Sequence, residues 1–461
     1  MLNKFRTQKG QAELGIIAVL VLSVLVIFML FLGLPLNFVI LSILGCFVFV
    51  IAFINTDVAL IILILSMLLS PEFAVGKVTG RAVIIRAEDL ILILAFLGWL
   101  AKMAINKELG LFRASPLNAP IAFLVLMYLL SSFLGIVSGR MSMRESAFYI
   151  LKYVEYYLLF FMVSNNLKNM AQVRKFLFFF LLTCFAVCIF SITHLDQGRA
   201  TAPFEGGEGG EPNTFAGYLI LMMSLLLGLL LYPDSSGKRL MHLGLLGLAG
   251  VAFLMTLSRS GWISFFPMIL TFVFFSKEYR PHLIILIIIG AIALPIMAPK
   301  SVHERVNQTF TSWKTYSILQ EKIGVDESTA ARIESWGVGI NRWAKAPIFG
   351  YGVPSGVVID NQYTRVLNET GGIGFAIFVW MLFALFGVGW RAFKETSGSQ
   401  LSQAISLGYL AGFMGLLLMS ASTATFIIIR IMEPFWFLTA IVTVLPEIQG
   451  VDSLAIDPQE A

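Results

Sequence analysis

The sequence predicts an all-α polytopic membrane protein with about 14 transmembrane helices, and three observations support this. Of the 461 residues, 58% are hydrophobic and 13% are charged, against about 25% charged residues in a typical soluble domain. Apolar runs of roughly 17–25 residues, long enough to cross a bilayer, recur along the whole chain. Lysine and arginine concentrate in the short segments between alternate runs, which is typical of cytoplasmic loops. The net charge of +5 is therefore a topology signal, not a nucleic-acid footprint.

The candidate helices are the apolar runs between polar breaks. The first run follows Lys4, Arg6 and Lys9, is too long for a signal-peptide core and has no cleavage site, so we predict a retained helix. The third is short, bracketed by Asp57 and Pro71, and a re-entrant segment is its alternative. The runs cover residues 14–33, 36–54, 58–71, 88–105, 118–138, 147–165, 174–193, 212–232, 240–257, 260–276, 282–298, 370–390, 402–420 and 425–446.

The distribution of basic residues predicts the topology. With the N-terminus inside and every run spanning, the short cytoplasmic loops hold 15 Lys and Arg residues and the short outer loops hold 7. Removing the third helix would reverse this bias, so we retain it and predict that both termini are cytoplasmic. Residues 1–298 then hold eleven helices, 299–369 form a large periplasmic loop, 370–448 hold three helices, and 449–461 form a cytoplasmic tail.

The loop at 299–369 is the only long hydrophilic stretch, and loops of this length are usually functional or disordered. Its tryptophans argue against disorder. The segment 327–345 has no proline and spaces Ile333, Trp336 and Ile340 at helical intervals. We therefore predict an amphipathic helix within the loop.

Two arginines at outer helix ends are candidates for holding an anion such as a diphosphate. Arg199 lies in a glycine-rich loop that ends at Pro212 and Asn213, next to a helix N-terminus. Arg259 lies in a tight Ser-Arg-Ser-Gly turn, where a guanidinium grips phosphate bidentately in a partly dry place. The alternatives are a solvated flexible hairpin for Arg199 and a snorkelling side chain for Arg259. Function is favoured for both because charge at membrane depth is usually functional.

Further candidates lie in the long loop. Asp360 is suited to act as a general base near apolar walls, but taken alone its position favours an N-cap of the next helix. Aromatic residues such as Trp336 either stack on sugar rings or anchor the loop at the interface. The four histidines are scattered without metal-ligand spacing, no nucleotide-binding motif occurs, and the glycine-spaced Glu205, Glu208 and Glu211 match no calcium loop.

In their order along the chain, these motifs resemble the bacterial O-antigen ligase and polymerase superfamily. Each motif alone is weak, whereas the ordered set with this topology is specific. The set consists of Arg86-Ala-Glu-Asp89-Leu90, Pro212-Asn213-Thr-Phe-Ala-Gly-Tyr218, Leu257-Ser258-Arg259-Ser260-Gly261-Trp262, Arg332-x-x-x-Trp336, Pro347-x-x-Gly350-x-Gly352 and Asp360-Asn361-x-Tyr363-x-x-x-Leu367-x-Glu369-x-Gly371.

The resemblance implies an architecture like that of C-type glycosyltransferases and a donor glycan on undecaprenyl diphosphate, used at the outer face of the bacterial inner membrane. It implies neither a nucleotide nor a metal or other cofactor. The implied partners are the lipid-linked glycan, the bilayer and a chain-length regulator protein, without nucleic acid. The implied site residues are Asp360 or Glu369 as the base, Arg199, Arg259 and Arg332 on the diphosphate, and Trp336, Asn361, Tyr363 and Asn213 on the glycan.

One departure from the family pattern separates two branches. Ligases that cap lipid A core typically have a histidine where this chain has Asp360, so the sequence favours a polymerase of O-antigen, capsule or exopolysaccharide. A ligase of the same fold is the alternative. A transporter ranks lower because the helix centres are almost without ionisable residues, the main exceptions being Lys152, Glu155 and Arg430.

Overall fold

The structure, a computed structural model, describes most of the chain. The predicted first helix at 14–33 lies outside the described residues, as do Glu205, Glu208 and the last residues of the predicted tail. The described residues are 36–78, 81–105, 112–195, 198–204, 211–233, 236–297, 299–311, 314–318 and 321–456.

Within these ranges the chain forms fifteen α-helices and two β-hairpins. The helices are α1 (Leu36–Ile54), α2 (Thr56–Leu69), α3 (Ala87–Ile105), α4 (Asn118–Val137), α5 (Met143–Asn166), α6 (Met170–Thr193), α7 (Pro212–Leu231), α8 (Ser236–Met255), α9 (Arg259–Phe275), α10 (Arg280–Met297), α11 (Lys300–Thr311), α12 (Glu327–Trp343), α13 (Gln362–Glu395), α14 (Gln400–Met419) and α15 (Ile429–Ile456). The strands are β1 (Glu72–Val78), β2 (Arg81–Arg86), β3 (Lys314–Ile318) and β4 (Glu321–Val325).

Each predicted apolar helix that falls in the described residues is a helix. The run at 36–54 coincides with α1, and the amphipathic segment at 327–345 corresponds to α12. The largest difference at a start is in α13, which begins at Gln362 rather than 370. In the run at 425–446, a 3-10 turn at Thr425–Ile427 precedes α15. Among the described helices, eight are long and apolar enough to cross a membrane, namely α4, α5, α6, α7, α8, α13, α14 and α15.

These eight helices make the chain a polytopic membrane protein. The helix α2 has 14 residues, short for a straight crossing. Spanning and re-entrant placements of α2 therefore both stay open. The number of 14 crossings, the cytoplasmic termini and the division at residues 298, 369 and 448 remain predictions.

Two short antiparallel hairpins accompany the predicted helices. The strands β1 and β2 lie between α2 and α3, with Glu72 opposite Arg86. The strands β3 and β4 lie in the long loop, with Lys314 opposite Val325 and Ile318 opposite Glu321. The second hairpin ends at Val325, directly before α12.

The helices α7 and α14 form the closest-packed pair of the core. A Cβ atom at Gly228 would lie 2.2 Å from the Ala404 carbonyl oxygen, and one at Gly408 would lie 2.8 Å from Leu225 Cα. Glycine therefore lets the two backbones touch, which is the usual way for membrane helices to associate. The start of α9 approaches α7 in the same way, since a Cβ atom at Gly261 would lie 2.9 Å from Ala216 Cβ.

The helix α13 is kinked at Gly371, where φ is 68° and ψ is −169°. A Cβ atom there would lie 2.2 Å from the Ile348 carbonyl oxygen, so the loop before α13 occupies the space beside the kink. Both the positive φ and this close approach require glycine. The kink divides α13 into a short first part, next to the long loop, and a long apolar second part.

The loop that contains Pro347 and Gly352 supplies hydrogen bonds that the kink removes from α13. The amide of Tyr351 donates to the Asn368 carbonyl at 2.8 Å, and the amide of Gly352 donates to the Glu369 carbonyl at 3.0 Å. Beyond the kink, the Gly372 amide donates to the Pro347 carbonyl at 2.7 Å. Buried backbone groups need such partners. The Pro-x-x-Gly-x-Gly motif therefore supports the first part of α13.

Candidate functional site

The turn before α9 places Arg259 at the start of that helix. Ser258 is the N-cap, and its hydroxyl accepts a hydrogen bond from the Gly261 amide at 3.2 Å. The same hydroxyl donates to Asn213 Oδ1 at 2.7 Å. Asn213 lies in the first turn of α7, so its side chain joins the starts of α7 and α9. The predicted glycan contact of Asn213 remains a prediction beside this structural role.

Arg199 lies against the same turn. Its Nε atom donates to the Thr256 carbonyl at 2.9 Å, and its Nη2 atom lies 3.4 Å from the Leu257 carbonyl. The adjacent Ala200 amide donates to the Met255 carbonyl at 2.8 Å. These carbonyls lie at the C-terminal end of α8, a region of partial negative charge that favours a cation. Arg199 and Arg259 therefore lie on one structural unit, and their predicted role in a shared anion site remains a prediction.

Arg259 is paired with a carboxylate from the long loop. Its Nη2 atom lies 2.6 Å from Asp326 Oδ2, and both side chains are largely buried, with exposed fractions of 14% and 12%. Thr329 Oγ1 donates to Asp326 Oδ1 at 2.6 Å. Desolvation alone would raise the pKa of Asp326, but the hydrogen bonds from Arg259 and Thr329 outweigh it and lower the pKa to about 2. Asp326 is therefore ionised at neutral pH.

Arg305 and Arg332 form a basic group together with Arg199 and Arg259. Burial lowers the pKa of Arg199, and repulsion by Arg305 and then by Arg259 lowers it further. Burial and then Arg259 likewise lower the pKa of Arg305 on α11, and they do the same to the pKa of Arg332 on α12. Such mutual repulsion indicates that these guanidinium groups lie within electrostatic range of one another in partly dry surroundings. We define these four side chains, Arg199, Arg259, Arg305 and Arg332, as the arginine cluster.

Asp360 interacts electrostatically with Arg332, one member of the arginine cluster. Among the influences on the pKa of Arg332, burial and Arg259 lower it, and Asp360 is the first group that raises it. The Asp360 amide donates to Ser335 Oγ at 3.2 Å, which fastens the segment before α13 to α12. The structure thus brings together the predicted base and the three predicted diphosphate-binding arginines.

The N-cap of α13, a role that the sequence also allows for Asp360, is the next residue along the chain. Asn361 is the N-cap of α13, and its Oδ1 atom accepts hydrogen bonds from the Thr364 amide at 2.9 Å and the Thr364 hydroxyl at 3.0 Å. Its Nδ2 atom donates to the Ala421 carbonyl at 2.7 Å. Asn361 therefore has a structural role that leaves the Asp360 carboxylate out of the cap. Its predicted contact with the glycan remains untested.

The two predicted aromatic contacts have different surroundings. The Tyr363 hydroxyl donates to the Leu417 carbonyl at 2.6 Å, and its ring lies 6.5 Å from the Phe378 ring, so the side chain fastens α13 to α14. Trp336 projects from α12, one turn after Arg332, and its buried Nε1 atom has no hydrogen-bond partner within the described parts of the chain. Buried indole groups usually have such a partner, so Trp336 is the stronger candidate for a ligand contact.

The second predicted base, Glu369, has different surroundings. Its side chain is fully buried and lies 2.7 Å from Arg365 Nε. The Tyr153 hydroxyl donates to the other carboxylate oxygen at 3.0 Å. Both oxygens are thus held inside the bundle, where the ion pair fixes the first part of α13. The structure gives Asp360 and Glu369 separate environments, and of the two it is Asp360 that interacts with the arginine cluster.

Sequence reasoning missed Arg305 and Asp326. Arg305 lies on α11, a 12-residue amphipathic helix whose polar pattern could have been recognised at 300–311. Asp326 is the N-cap of α12. An Asp three residues before Thr329, at the start of a predicted amphipathic helix, is the ordinary signal for such a cap. Neither signal reveals that Asp326 contacts Arg259, which is 67 residues away in the chain.

A second polar group contains the Arg86-Ala-Glu-Asp89 element. Arg86 Nη2 lies 2.7 Å from Glu72 Oε1, and the Arg86 amide donates to Asp89 Oδ2 at 3.0 Å. The fully buried Arg430 lies 3.4 Å from the same Glu72 oxygen, and its Nη1 atom donates to the Pro203 carbonyl at 2.8 Å. This network fastens the first hairpin, α15 and the loop after Arg199 to one another.

The ionisable residues predicted near helix centres belong to this network. Lys152 and Glu155 on α5 interact electrostatically with Asp89, and Glu433 on α15 interacts with Glu155 and Asp89. Within the described ranges, no group of three or more His, Cys, Asp or Glu side chains is placed to hold a metal ion.

Together these features define a class of protein, a multi-pass membrane protein that gathers arginines and a carboxylate where several helices begin. Residues 244–379 match the family model described as O-antigen ligase. The match confirms the resemblance to the O-antigen ligase and polymerase superfamily and supports a ligase- or polymerase-type membrane enzyme. It includes Arg259, Arg305, Arg332 and Asp360, whereas Arg199 lies outside it. Among curated proteins, none matches the chain.

Proposed function

We propose that the protein is a membrane glycosyltransferase that polymerises oligosaccharide repeat units carried on undecaprenyl diphosphate, at the outer face of the bacterial inner membrane. The observation that carries the proposal is the arginine cluster, whose members come from separate elements and one of which, Arg332, interacts with Asp360. A donor with a diphosphate and a long apolar tail needs such a basic group at the mouth of an apolar bundle.

The charges of the site suit this donor. Four arginines lie here, and the carboxylate of Asp326 is paired with one of them, Arg259. Such a basic group suits a diphosphate that is esterified at both ends and therefore carries two negative charges. Guanidinium groups bind phosphoryl oxygens bidentately, and they do so most strongly in partly dry surroundings. The cluster is therefore suited to hold the donor and to stabilise the leaving diphosphate.

The proposed reaction is one substitution at the anomeric carbon. Asp360 accepts the proton of an acceptor sugar hydroxyl as that oxygen forms a bond to the anomeric carbon of the donor. The bond between the anomeric carbon and the diphosphate oxygen breaks, and undecaprenyl diphosphate leaves with the bonding electron pair. The arginine cluster stabilises the charge that develops on the leaving oxygen. Trp336 contributes a surface for stacking a sugar ring.

A ligase is the second candidate, and the description of the matching family favours it. In that reaction the same donor group is transferred once to a lipid A core or another acceptor. The aspartate at position 360, where ligases typically have a histidine, favours the polymerase. The two candidates use the same clamp and base and differ in the acceptor.

The test is an assay of the purified full chain in detergent with a lipid-linked oligosaccharide repeat unit from its own host, without nucleotide or added metal. A ladder of longer lipid-linked glycans supports the polymerase. Transfer only after a lipid A core or another acceptor is supplied indicates the ligase. If neither product forms while proteoliposomes translocate the substrate, the enzyme proposal is wrong and the chain is a transporter.

A further inference from the structure

We propose that Asp326 is a built-in counter-anion that holds Arg259 while the donor site is empty and that gives way to the donor diphosphate. This inference rests on the proposed function, because it assigns a role to the Arg259 partner within the same site. It assigns to Asp326 the control of donor affinity and to α12 a response to donor binding. The first observation behind it is the 2.6 Å contact between Arg259 Nη2 and Asp326 Oδ2.

The Asp326 carboxylate is held in place independently of Arg259. Thr329 Oγ1 donates to Asp326 Oδ1 at 2.6 Å, and the Asp326 carbonyl accepts hydrogen bonds from the amides of Thr329 at 3.1 Å and Ala330 at 2.9 Å. The carbonyl bonds are those of the residue at the start of a helix, and the carboxylate is bonded to the Thr329 hydroxyl, so both groups are tied to the first turn of α12. The carboxylate is therefore presented to Arg259 as part of α12.

A carboxylate and a phosphoryl group compete for the same surface of a guanidinium. Both offer oxygens in a plane that suits its donors. Because Asp326 Oδ2 already lies against Arg259 Nη2, a diphosphate that grips the same edge has to displace that oxygen. In the empty site the carboxylate also offsets the mutual repulsion of Arg259, Arg305 and Arg199. Asp326 therefore stabilises the empty cluster and lowers its affinity for an anion.

Displacement of Asp326 from Arg259 affects α12, which carries other residues of the site. The helix α12 begins at Glu327, directly after Asp326, and it carries Arg332 and Ser335. Ser335 accepts the hydrogen bond from the Asp360 amide. Release of the Arg259 contact thus removes a link between α9 and the start of α12, the helix that carries both a clamp arginine and the residue bonded to the Asp360 amide. Donor binding and the placement of Asp360 are coupled through α12.

The test measures the binding of inorganic pyrophosphate to the purified full chain in detergent by isothermal titration calorimetry. The variant Asp326→Asn keeps the size of the side chain and a carbonyl oxygen for Thr329, but it removes the charge that competes for Arg259. We expect it to bind pyrophosphate about 10-fold more tightly than the native chain, the effect of one lost competing ion pair. The matched control is Glu327→Gln, which neutralises the adjacent exposed carboxylate and should leave the affinity unchanged.

Weaker or unchanged binding in Asp326→Asn would overturn the proposal, because Asp326 would then position Arg259 for the anion or have no effect on it. The variant Thr329→Val provides a second measurement if Asp326→Asn does not fold, since it loosens the carboxylate without removing it. A rise in affinity of about 3-fold is expected there, and no rise contradicts the counter-anion. Failure of the proposed function looks different, because Arg259→Ala would then bind pyrophosphate as the native chain does.

Discussion

The members of the arginine cluster differ in the groups that their guanidinium atoms contact. Arg199 uses Nε and Nη2 on the carbonyls of Thr256 and Leu257, so part of its guanidinium holds the turn before α9. Arg259 instead meets another side chain, Asp326, which an anion can replace. Arg259 is therefore held by a side chain that a diphosphate can replace, whereas Arg199 is held by the backbone.

The first prediction follows from this difference. Replacement Arg259→Ala should lower the rate of glycan transfer by about 100-fold or more, because it removes a charged donor aimed at the leaving group. Arg259→Lys should recover only a small part, since an ammonium group cannot bind a phosphate bidentately. The rate is measured from the product ladder. The control Arg391→Ala removes an arginine that is 62% exposed and paired with Glu395, and its rate should equal that of the native chain.

The second prediction separates the two candidate bases by comparing how substitution of each one changes the transfer rate and the melting temperature. Asp360→Asn should lower the transfer rate by about 100-fold to 10,000-fold without lowering the melting temperature. Glu369→Gln should lower the melting temperature, because it leaves the Arg365 charge buried without its carboxylate. A normal melting temperature for Glu369→Gln together with complete loss of transfer would instead make Glu369 the base.

The acidity of Asp326 gives a third prediction. Since its pKa is lowered to about 2, its stabilising contact with Arg259 is fully present above the ordinary aspartate range. The contact is lost only as the pH falls through about 2. The ratio of pyrophosphate affinities between Asp326→Asn and the native chain should therefore stay constant from about pH 5.5 to 8. Calorimetry at several pH values measures this ratio, and a ratio that falls to one within that range contradicts the ionised contact.

At the scale of secondary structure, the sequence predicts the positions of helices, because hydrophobic periodicity and hydropathy determine them. The helices α1 and α12 lie where apolar runs and helical spacing place them. The kink at Gly371 and the role of the Pro347 loop could not be predicted, because they depend on a contact between two backbone segments. Asp326 was missed for the same reason, since its cap is a local signal but its contact with Arg259 is not.

The kink gives a fourth prediction. A Cβ atom at Gly371 would lie 2.2 Å from the Ile348 carbonyl oxygen, and φ there is 68°. The replacement Gly371→Ala should therefore lower the melting temperature and displace the first part of α13 together with Asp360. In the same helix, a Cβ atom at Gly387 would meet no atom within 4 Å, so Gly387→Ala is the matched control. It should raise or preserve the melting temperature. An equal response to both replacements would show that the kink carries no strain.

On the scale of the whole molecule, α13 is long enough to extend from the candidate site across a membrane. It has 34 residues, which at about 1.5 Å per residue gives a length of about 50 Å. The hydrocarbon core is about 30 Å thick, so the part after the Gly371 kink suffices to cross it. The first part, with Tyr363 and the Glu369 pair, is then not needed for the crossing and lies beside the long loop.

This length gives the last prediction, which tests the side of the membrane on which the site lies. Cysteines are introduced singly by Glu334→Cys, on an exposed position of α12, and by Gly398→Cys, in the exposed turn after α13. In intact spheroplasts an impermeant maleimide should label only Glu334→Cys, whereas Gly398→Cys should react only after permeabilisation. The native chain is the background control, because Cys184 and Cys188 are buried and Cys46 is partly so. The reverse pattern would place Asp360 and the arginine cluster on the cytoplasmic side, where the proposed donor is not presented, and would contradict the positive-inside argument for the topology.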